Sequence, residues 1–252
     1  MAYEFGDTAK FAVRFDDNTG NLTEIVYKGE PITIPGGGDQ RFDIMQDNDW
    51  MFWKGKLKLI KIEKISDAVV RVIQETGDWQ AAFNYTVDVD TATLKRSAEL
   101  TYRGNNEHTK IRNFWMSLPT FPFKGDAEFF IPGQYPSKKY NAENFAENER
   151  KGSMRNSAPL VFQWDKSKSI ILLSDNLVDY ADNPNNGIER RDGGVRLTQS
   201  YNVLGYIKPN TVIKLGDSCF RVIDGDSETA LLKIHDLMRD MGHVPPADRP
   251  KW

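Results

Sequence analysis

Cysteine is almost missing from this sequence. One thiol, Cys219, stands in 252 residues, so an internal disulfide and a cysteine-held metal cluster are both excluded. It lies in an apolar strand pattern, the setting of a buried, inert thiol. Histidine is nearly as scarce. His108, His235 and His243 show no metal-ligand spacing to one another and read as solvated or capping side chains. No apolar run approaches the roughly 20 residues of a membrane helix. The opening Met1-Ala2-Tyr3-Glu4-Phe5-Gly6 lacks the basic and apolar regions of a secretion signal. A soluble protein is expected, either cytoplasmic or secreted with its signal removed. Positive charge is not in excess: the net charge is −3, with Lys and Arg spread along the chain. A nucleic-acid surface would need a basic stripe.

Several chemical motifs fail on inspection. Gly36-Gly37-Gly38 lacks the strand-to-helix setting of a phosphate loop. Asp47-Asn48-Asp49 opens like a calcium loop, but Phe52 and Lys58 stand where that loop needs Gly and Glu. Asp224-Gly225-Asp226 reads as a helix cap instead. Ser218 lacks the glycines of a nucleophile elbow. Neither metal nor cofactor is expected, and no catalytic residue is named.

What the chain has is alternation. Phe11, Val13 and Phe15 precede the turn Asp16-Asp17-Asn18-Thr19-Gly20, and Leu22 to Tyr27 is the return strand. Arg41 to Met45 is a short strand. After Leu57 and Leu59 the apolar phase slips to Ile60 and Ile62, which predicts a β-bulge or a change of sheet. Ala68 to Ile73 is apolar enough to be covered on both faces. Trp79, Ala81, Phe83, Tyr85, Val87 and Val89 fall on one face of a long strand. Leu94 to Tyr102 answers it across Asp90-Thr91-Ala92-Thr93, giving a large antiparallel hairpin. Lys110 to Leu118 is aromatic and strand-like. Pro119 to Pro136 is broken around Phe129-Phe130-Ile131. Asn141 to Arg150 has the content of a short helix. Leu160 to Trp164 and Ser169 to Leu173 form a hairpin. Asp182 to Gly194 reads as a loop, and Val195 to Leu204 as a strand. Thr211 to Val222 reads as a hairpin turning at Gly216-Asp217.

A helix follows. Ala230, Leu231, Ile234, Leu237, Met238 and Met241 recur at helical spacing, behind capping acids and ahead of the stop at Gly242. The expectation is an all-β chain of two large antiparallel sheets packed face to face, with one C-terminal helix. Residues 1–241 form that domain, and 242–252 a Pro-rich linker toward a further domain.

The aromatic residues are the best candidates for a binding role. Trp50, Phe52 and Trp53 sit in a polar loop with Asp47 and Asp49. Tyr135 and Tyr140 sit in the long polar connection. Aromatic faces stack on sugar C–H groups while fixed polar side chains take the hydroxyls. Asp47, Asp49, Trp50, Trp53, Tyr135 and Tyr140 are therefore the candidate substrate-binding residues. The competing reading is that these rings plug the ends of the sandwich.

The opening hairpin, Phe11 to Gly29 with Asp-Asp-Asn-Thr-Gly-Asn-Leu-Thr and Ile-Val-Tyr-Lys-Gly, resembles that of the galactose-mutarotase-like β-supersandwich. The closing strand, helix and Pro-rich exit resemble the linker from such a domain to the catalytic barrel of alpha-galactosidase-type glycoside hydrolases. The resemblance implies a non-catalytic, carbohydrate-associated N-terminal domain. Its partners would be a carbohydrate and a C-terminal catalytic domain of the same polypeptide. Two alternatives stay open: a free-standing sugar epimerase, whose Glu base and His acid find no matching His motif here, and an independent carbohydrate-binding module.

Overall fold

The computed structural model describes residues 2–35, 40–46, 49–51, 57–107, 109–130, 139–152, 159–174, 184–191 and 193–242. The N-terminal strands are β1 (Ala2–Asp7), β2 (Phe11–Asp16), β3 (Leu22–Tyr27) and β4 (Glu30–Pro31). β5 (Gln40–Gln46), β6 (Asp49–Met51), β7 (Lys58–Lys64), β8 (Val69–Thr76), β9 (Trp79–Asp88), β10 (Thr93–Tyr102) and β11 (Lys110–Pro122) follow. Then come three short strands, β12 (Glu128–Phe130), β13 (Lys139–Asn141) and β14 (Arg150–Gly152). The chain closes with β15 (Leu160–Asp165), β16 (Lys168–Ser174), β17 (Pro184–Arg191), β18 (Gly194–Tyr206), β19 (Val212–Asp224) and the helix α1 (Ser227–Asp240).

Every ladder is antiparallel. One layer is a nine-stranded sheet in the order β13-β12-β15-β16-β19-β10-β9-β8-β7. The facing layer is divided into a four-stranded sheet, β1-β2-β3-β4, and a six-stranded sheet, β14-β17-β18-β11-β5-β6. The Ile34 N–H donates to the Thr120 carbonyl at 2.7 Å and ties these two together beside the second half of β11.

Strand alternation builds the core. On β9, Trp79, Ala81, Phe83, Tyr85 and Val87 are buried while Gln80, Asn84 and Thr86 stay half-exposed. Phe15 from the four-stranded sheet meets Tyr85 edge-on at 4.9 Å, and Phe114 from the six-stranded sheet stacks on Phe83 at 6.0 Å. Both sheets therefore cover the same face of the nine-stranded layer. Each such ring contributes roughly 1.5–3 kcal/mol by leaving water.

At one end the nine-stranded sheet is covered on its other face as well. Val161, Ile171, Leu173, Cys219 and Ile223 pack under Ala230, Ile234 and Leu237 of α1. That explains the unbroken apolar run Ile170 to Leu173, whose alternate members face opposite cores. Cys219 is buried there, as expected. The helix begins where Asp226 accepts the Thr229 N–H at 2.8 Å and ends before Gly242, at φ 90°.

The phase slip in β7 is a bulge at Ile60: Leu59 pairs with Gln74, but Lys61 pairs with Ile73. Other expectations are corrected. Gly216-Asp217 is not a turn. β19 is one continuous strand, and its register against β10 steps from Arg96–Ser218 to Ala98–Leu215, so turn-type residues mark a bulge. Pro119 does not end β11, because the register shifts between Ser117 and Thr120 and a bulge tolerates proline. Residues 184–191 are strand rather than loop, since pairing along β18 outweighs the turn chemistry of Asn185-Asn186-Gly187. Asn141 to Arg150 is not helical. Asn141 Oδ1 accepts the N–H groups of Glu143 and Asn144, and the Glu149 carboxylate accepts that of Ala146; side chains compete successfully with the helical ladder. β8 is buried on one face only, Val70 and Val72 inward and Val69, Arg71 and Ile73 half-exposed.

Gly20, at φ 71°, places a would-be Cβ 2.7 Å from both Leu59 Cδ1 and Val72 Cγ1. Gly20→Ala is expected to lower stability by roughly 1–3 kcal/mol, read from urea unfolding. A second expectation concerns acid. Tyr27 Oη and Lys28 Nζ both donate to Asp224 Oδ2, at 3.0 and 2.6 Å, tying the four-stranded sheet to β19. Burial alone would raise the Asp224 carboxyl, but these two bonds hold it below its ordinary range. Its contribution is thus present above about pH 3.9 and fades as pH falls through that value toward the depressed one. Asp224→Asn should flatten the acid limb of stability by less than about 1 kcal/mol, because the pair is solvent-screened.

Candidate functional site

Three of the residues picked out by sequence, Asp49, Trp50 and Tyr140, lie among the described residues. Asp49 and Trp50 lie in β6, an outer edge of the six-stranded sheet, paired with Gln46 and Met45. Tyr140 lies on β13, and the Lys151 ammonium of β14 sits 5.6 Å from its ring. β14 is the opposite edge of that six-stranded sheet. Five strand spacings of about 4.8 Å, roughly 24 Å along the sheet, lie between the two edge strands. Tyr140 is also no open platform. It is 8% exposed and stacks on Phe129 at 4.7 Å with an interplanar angle of 11°. Its ring packs into the core beneath an edge strand. Asp47, Trp53 and Tyr135 lie outside the described residues, as do His108, His243 and the 243–252 exit. His235 is exposed on α1.

The more informative surface is the outward face of the six-stranded sheet. On β18, Val195, Leu197 and Tyr201 point into the core. Arg196, Thr198 and Ser200 therefore point away from it. On β11, Phe114 and Met116 point inward, which leaves Trp115 and Ser117 outward. The ladder sets Trp115 beside Ser200 and Ser117 beside Thr198. Arg196 follows, its Nε donating to Thr120 Oγ1 at 3.1 Å. Across the flanking ladders Arg41 stands opposite Trp115, and Asn185 opposite Ser200.

Two hydroxyls there are unusual. Ser117 and Thr198 are each 3% exposed, yet neither Ser117 Oγ nor Thr198 Oγ1 has a hydrogen-bond partner among the described residues. Buried polar groups are normally satisfied. Thr198 is flanked on its other side by Gly187, which has no side chain to offer. Trp115 with Ser200, Ser117 with Thr198, and Thr120 with Arg196 thus occupy successive rows of this face.

Behind this face lies a second polar feature, inside the sandwich. Arg96 of β10 is 3% exposed. It donates from Nη2 to Gln199 Oε1 at 2.5 Å and from Nε to Ser218 Oγ at 3.4 Å. Gln199 Nε2 donates to Asn186 Oδ1 at 3.0 Å. Those acceptors are neutral. Burial pulls the guanidinium below its ordinary pKa, and it pushes the nearby Tyr201 phenol up. Tyr201 Oη donates to the Gly216 carbonyl at 2.9 Å, so the β19 bulge acquires a partner from the facing layer. Two open clefts of about 430 and 520 Å³ elsewhere are lined by groups already engaged. These are the Lys10–Asp90 and Lys28–Asp224 pairs in one, and in the other Glu128, Gln163 and Ser227, bonded at the helix start.

Sequence reasoning missed Ser117, Thr198, Ser200 and Arg196. Its available signal was Gln199, a polar residue in the inward phase of an otherwise apolar alternation. Ser117→Ala and Thr198→Val each remove a hydroxyl that bonds to nothing among the described residues. Unfolding stability is expected to hold or to rise by up to about 1 kcal/mol, checked by denaturant titration.

Comparison with known proteins places this geometry. No protein-family model and no curated protein matches the sequence. Solved structures do. A galactose mutarotase related enzyme from Lactobacillus acidophilus is 10% identical, with a TM-score of 0.59 over 90% of this chain and 99% of that one. The GH36 alpha-galactosidase AgaA of Geobacillus stearothermophilus, solved with stachyose, is 9% identical with a TM-score of 0.64, over 89% of this chain and 41% of that one. An alpha-N-acetylgalactosaminidase of Bifidobacterium bifidum, NagBb, solved with GalNAc, is 11% identical with a TM-score of 0.61, over 96% of this chain and 39% of that one. The chain thus spans about two fifths of the hydrolases and nearly all of the mutarotase-related enzyme. At such low identity what is shared is the fold, and the fold is the galactose-mutarotase-like β-supersandwich.

Proposed function

We propose that this chain is a carbohydrate-associated domain that shapes a sugar site and packs against the catalytic domain of a glycoside hydrolase, without supplying the reacting groups itself. The observation that carries this reading is the superposition of 89% and 96% of the chain on about two fifths of two sugar hydrolases. The sugar would rest on Trp115, with Ser117, Thr198, Ser200 and Arg196 taking its hydroxyls. Asp49 and Trp50 would form a rim contact at the β6 edge, and Asp47, Trp53 and Tyr135 remain candidate sugar contacts.

Calorimetric titration with galactose and short galactosides tests the site. Trp115→Ala is expected to weaken binding at least tenfold, since a base-like or sugar-like ring face stacked on an aromatic is worth about 1–3 kcal/mol. Trp50→Ala is expected to weaken it less. Binding unchanged in both variants would remove the proposed site.

A free-standing sugar epimerase is the second reading, favoured by the near-complete coverage of the mutarotase-related enzyme. Exchange between galactose anomers, followed by NMR with and without the chain, separates the two. The first reading expects no acceleration over buffer. A tenfold faster exchange that follows protein concentration would overturn it in favour of the second.

A further inference from the structure

Five of the six margins of the three described sheets are protected against strand pairing. β6, β13 and β14 have three residues each, and β4 has two and ends in Pro31. β7 carries three lysines and a bulge at Ile60. Shortness, lysine, proline and bulges are all devices that close an edge. β1 has none of them. It runs six residues, Ala2 to Asp7, without lysine or proline. It pairs with β2 residue for residue, with no shift of register. No strand lies on its other side among the described residues. Gly6, at φ 108°, departs from extended backbone, so Ala2 to Phe5 is the straight part. Ala2 and Glu4 are exposed there. A strand paired on one side only turns the N–H and C=O of every second residue to solvent.

The side chains say what this edge fits. Glu4, Arg14 and Glu24 stand in one cross-strand row on the outward face of the four-stranded sheet. Arg14 Nε donates to Glu4 Oε2 at 2.8 Å, and Arg14 Nη1 donates to Glu24 Oε2. One guanidinium serves two carboxylates, and the row ends at the open edge on an acid. On the inward face Tyr3 and Phe5 flank Glu4. Phe5 is buried and Tyr3 is half-exposed, its ring 6.5 Å from Phe15.

We propose that β1 is a docking edge for an extended segment of a partner protein. The segment adds a fifth strand to the four-stranded sheet, with Lys or Arg opposite Glu4 and an apolar residue on each side of it. The basic side chain continues the row of alternating charge, and opposite charges across a ladder attract. The two apolar residues fall on the inward face, beside Tyr3 and Phe5. Main-chain hydrogen bonds supply affinity, and the alternating side chains supply selectivity. A second copy of this chain fits poorly. β1 holds no Lys or Arg, so β1 paired on β1 leaves Glu4 without a cation in every register, and the register centred on Glu4 opposes two carboxylates. β1 belongs to a different sheet from Trp115, so strand addition and sugar binding stand or fall separately.

The experiment is an NMR titration of the full chain with acetyl-Thr-Val-Lys-Val-Thr-amide, with its Glu-for-Lys counterpart, and with the Lys peptide N-methylated throughout. The Lys peptide is expected to slow amide exchange at alternate residues of Ala2 to Asp7 and to leave β6 and β13 unchanged. It should bind at least about threefold tighter than the Glu peptide. The N-methylated peptide, which has no N–H to donate, should not bind. Glu4→Gln should erase the preference for Lys, and Glu4→Lys should reverse it; if Glu4→Lys does not fold beside Arg14, Glu4→Gln decides. Absence of protection in β1 with every peptide at millimolar concentration would overturn the proposal. So would equal binding of the N-methylated peptide, or an unchanged preference in Glu4→Gln. A dimer of the free chain in sedimentation, with the same amides protected, would also overturn it, because the edge then belongs to a second copy.

Discussion

Everything in this molecule hangs on one aromatic seam. Rings from both layers meet along β9, β10 and β19: Phe15 on Tyr85, Phe114 on Phe83, and Phe121 and Phe11 on Phe220. The seam is what allows a facing layer made of two separate sheets to behave as one. The four-stranded and six-stranded sheets share a hydrogen bond at Ile34 and Thr120. Their lasting connection is the common apolar surface each presses against. Loss of water from these rings is non-directional, so the seam holds the layers together without dictating their register. Register comes from the alternation of each strand.

Arg96 interrupts that seam. A cation among Phe and Tyr side chains costs desolvation that neutral acceptors do not repay in full. A folded protein keeps such a group where it fixes an arrangement or does chemistry. Here it fixes at least Gln199, and through Gln199 the side chain of Asn186. The outward residues Thr198 and Ser200 are thereby held on a strand whose inner side is pinned. The same polar contacts that weaken the core give the outer face a rigid floor.

Much of the fold was legible in the sequence, because strands with one buried face write their pairing as a period of two. β9 and β10 were plain, and the slip at Ile60 announced a bulge. Turn residues were the weak point. Gly216-Asp217 and Asn185-Asn186-Gly187 have the chemistry of loops, yet long-range partners in β10 and β18 hold both extended. Local signals report neither a partner 11 to 15 residues on, as for Asn185 to Gly187, nor one more than a hundred residues back, as for β19 on β10. The same limit hid the outward site. Ser117 and Thr198 are adjacent only because of the β11–β18 register, and each alone looks like an ordinary solvent-facing hydroxyl. The packing of Tyr140 was hidden likewise: its sequence neighbours are polar, while its ring meets Phe129 and Phe145.

The margins of the two layers bear on how readily such a strand-rich chain could pair edge to edge. β6, β13 and β14 are three residues each, and β4 is two residues ending in Pro31. The one long margin of the nine-stranded sheet is β7, which carries Lys58, Lys61 and Lys64 and is bent at Ile60. A second molecule that tried to extend the sheet there would meet closely spaced ammonium groups on a kinked backbone. Edge-to-edge growth is thus opposed by shortness at β4, β6, β13 and β14 and by charge and a bulge at β7.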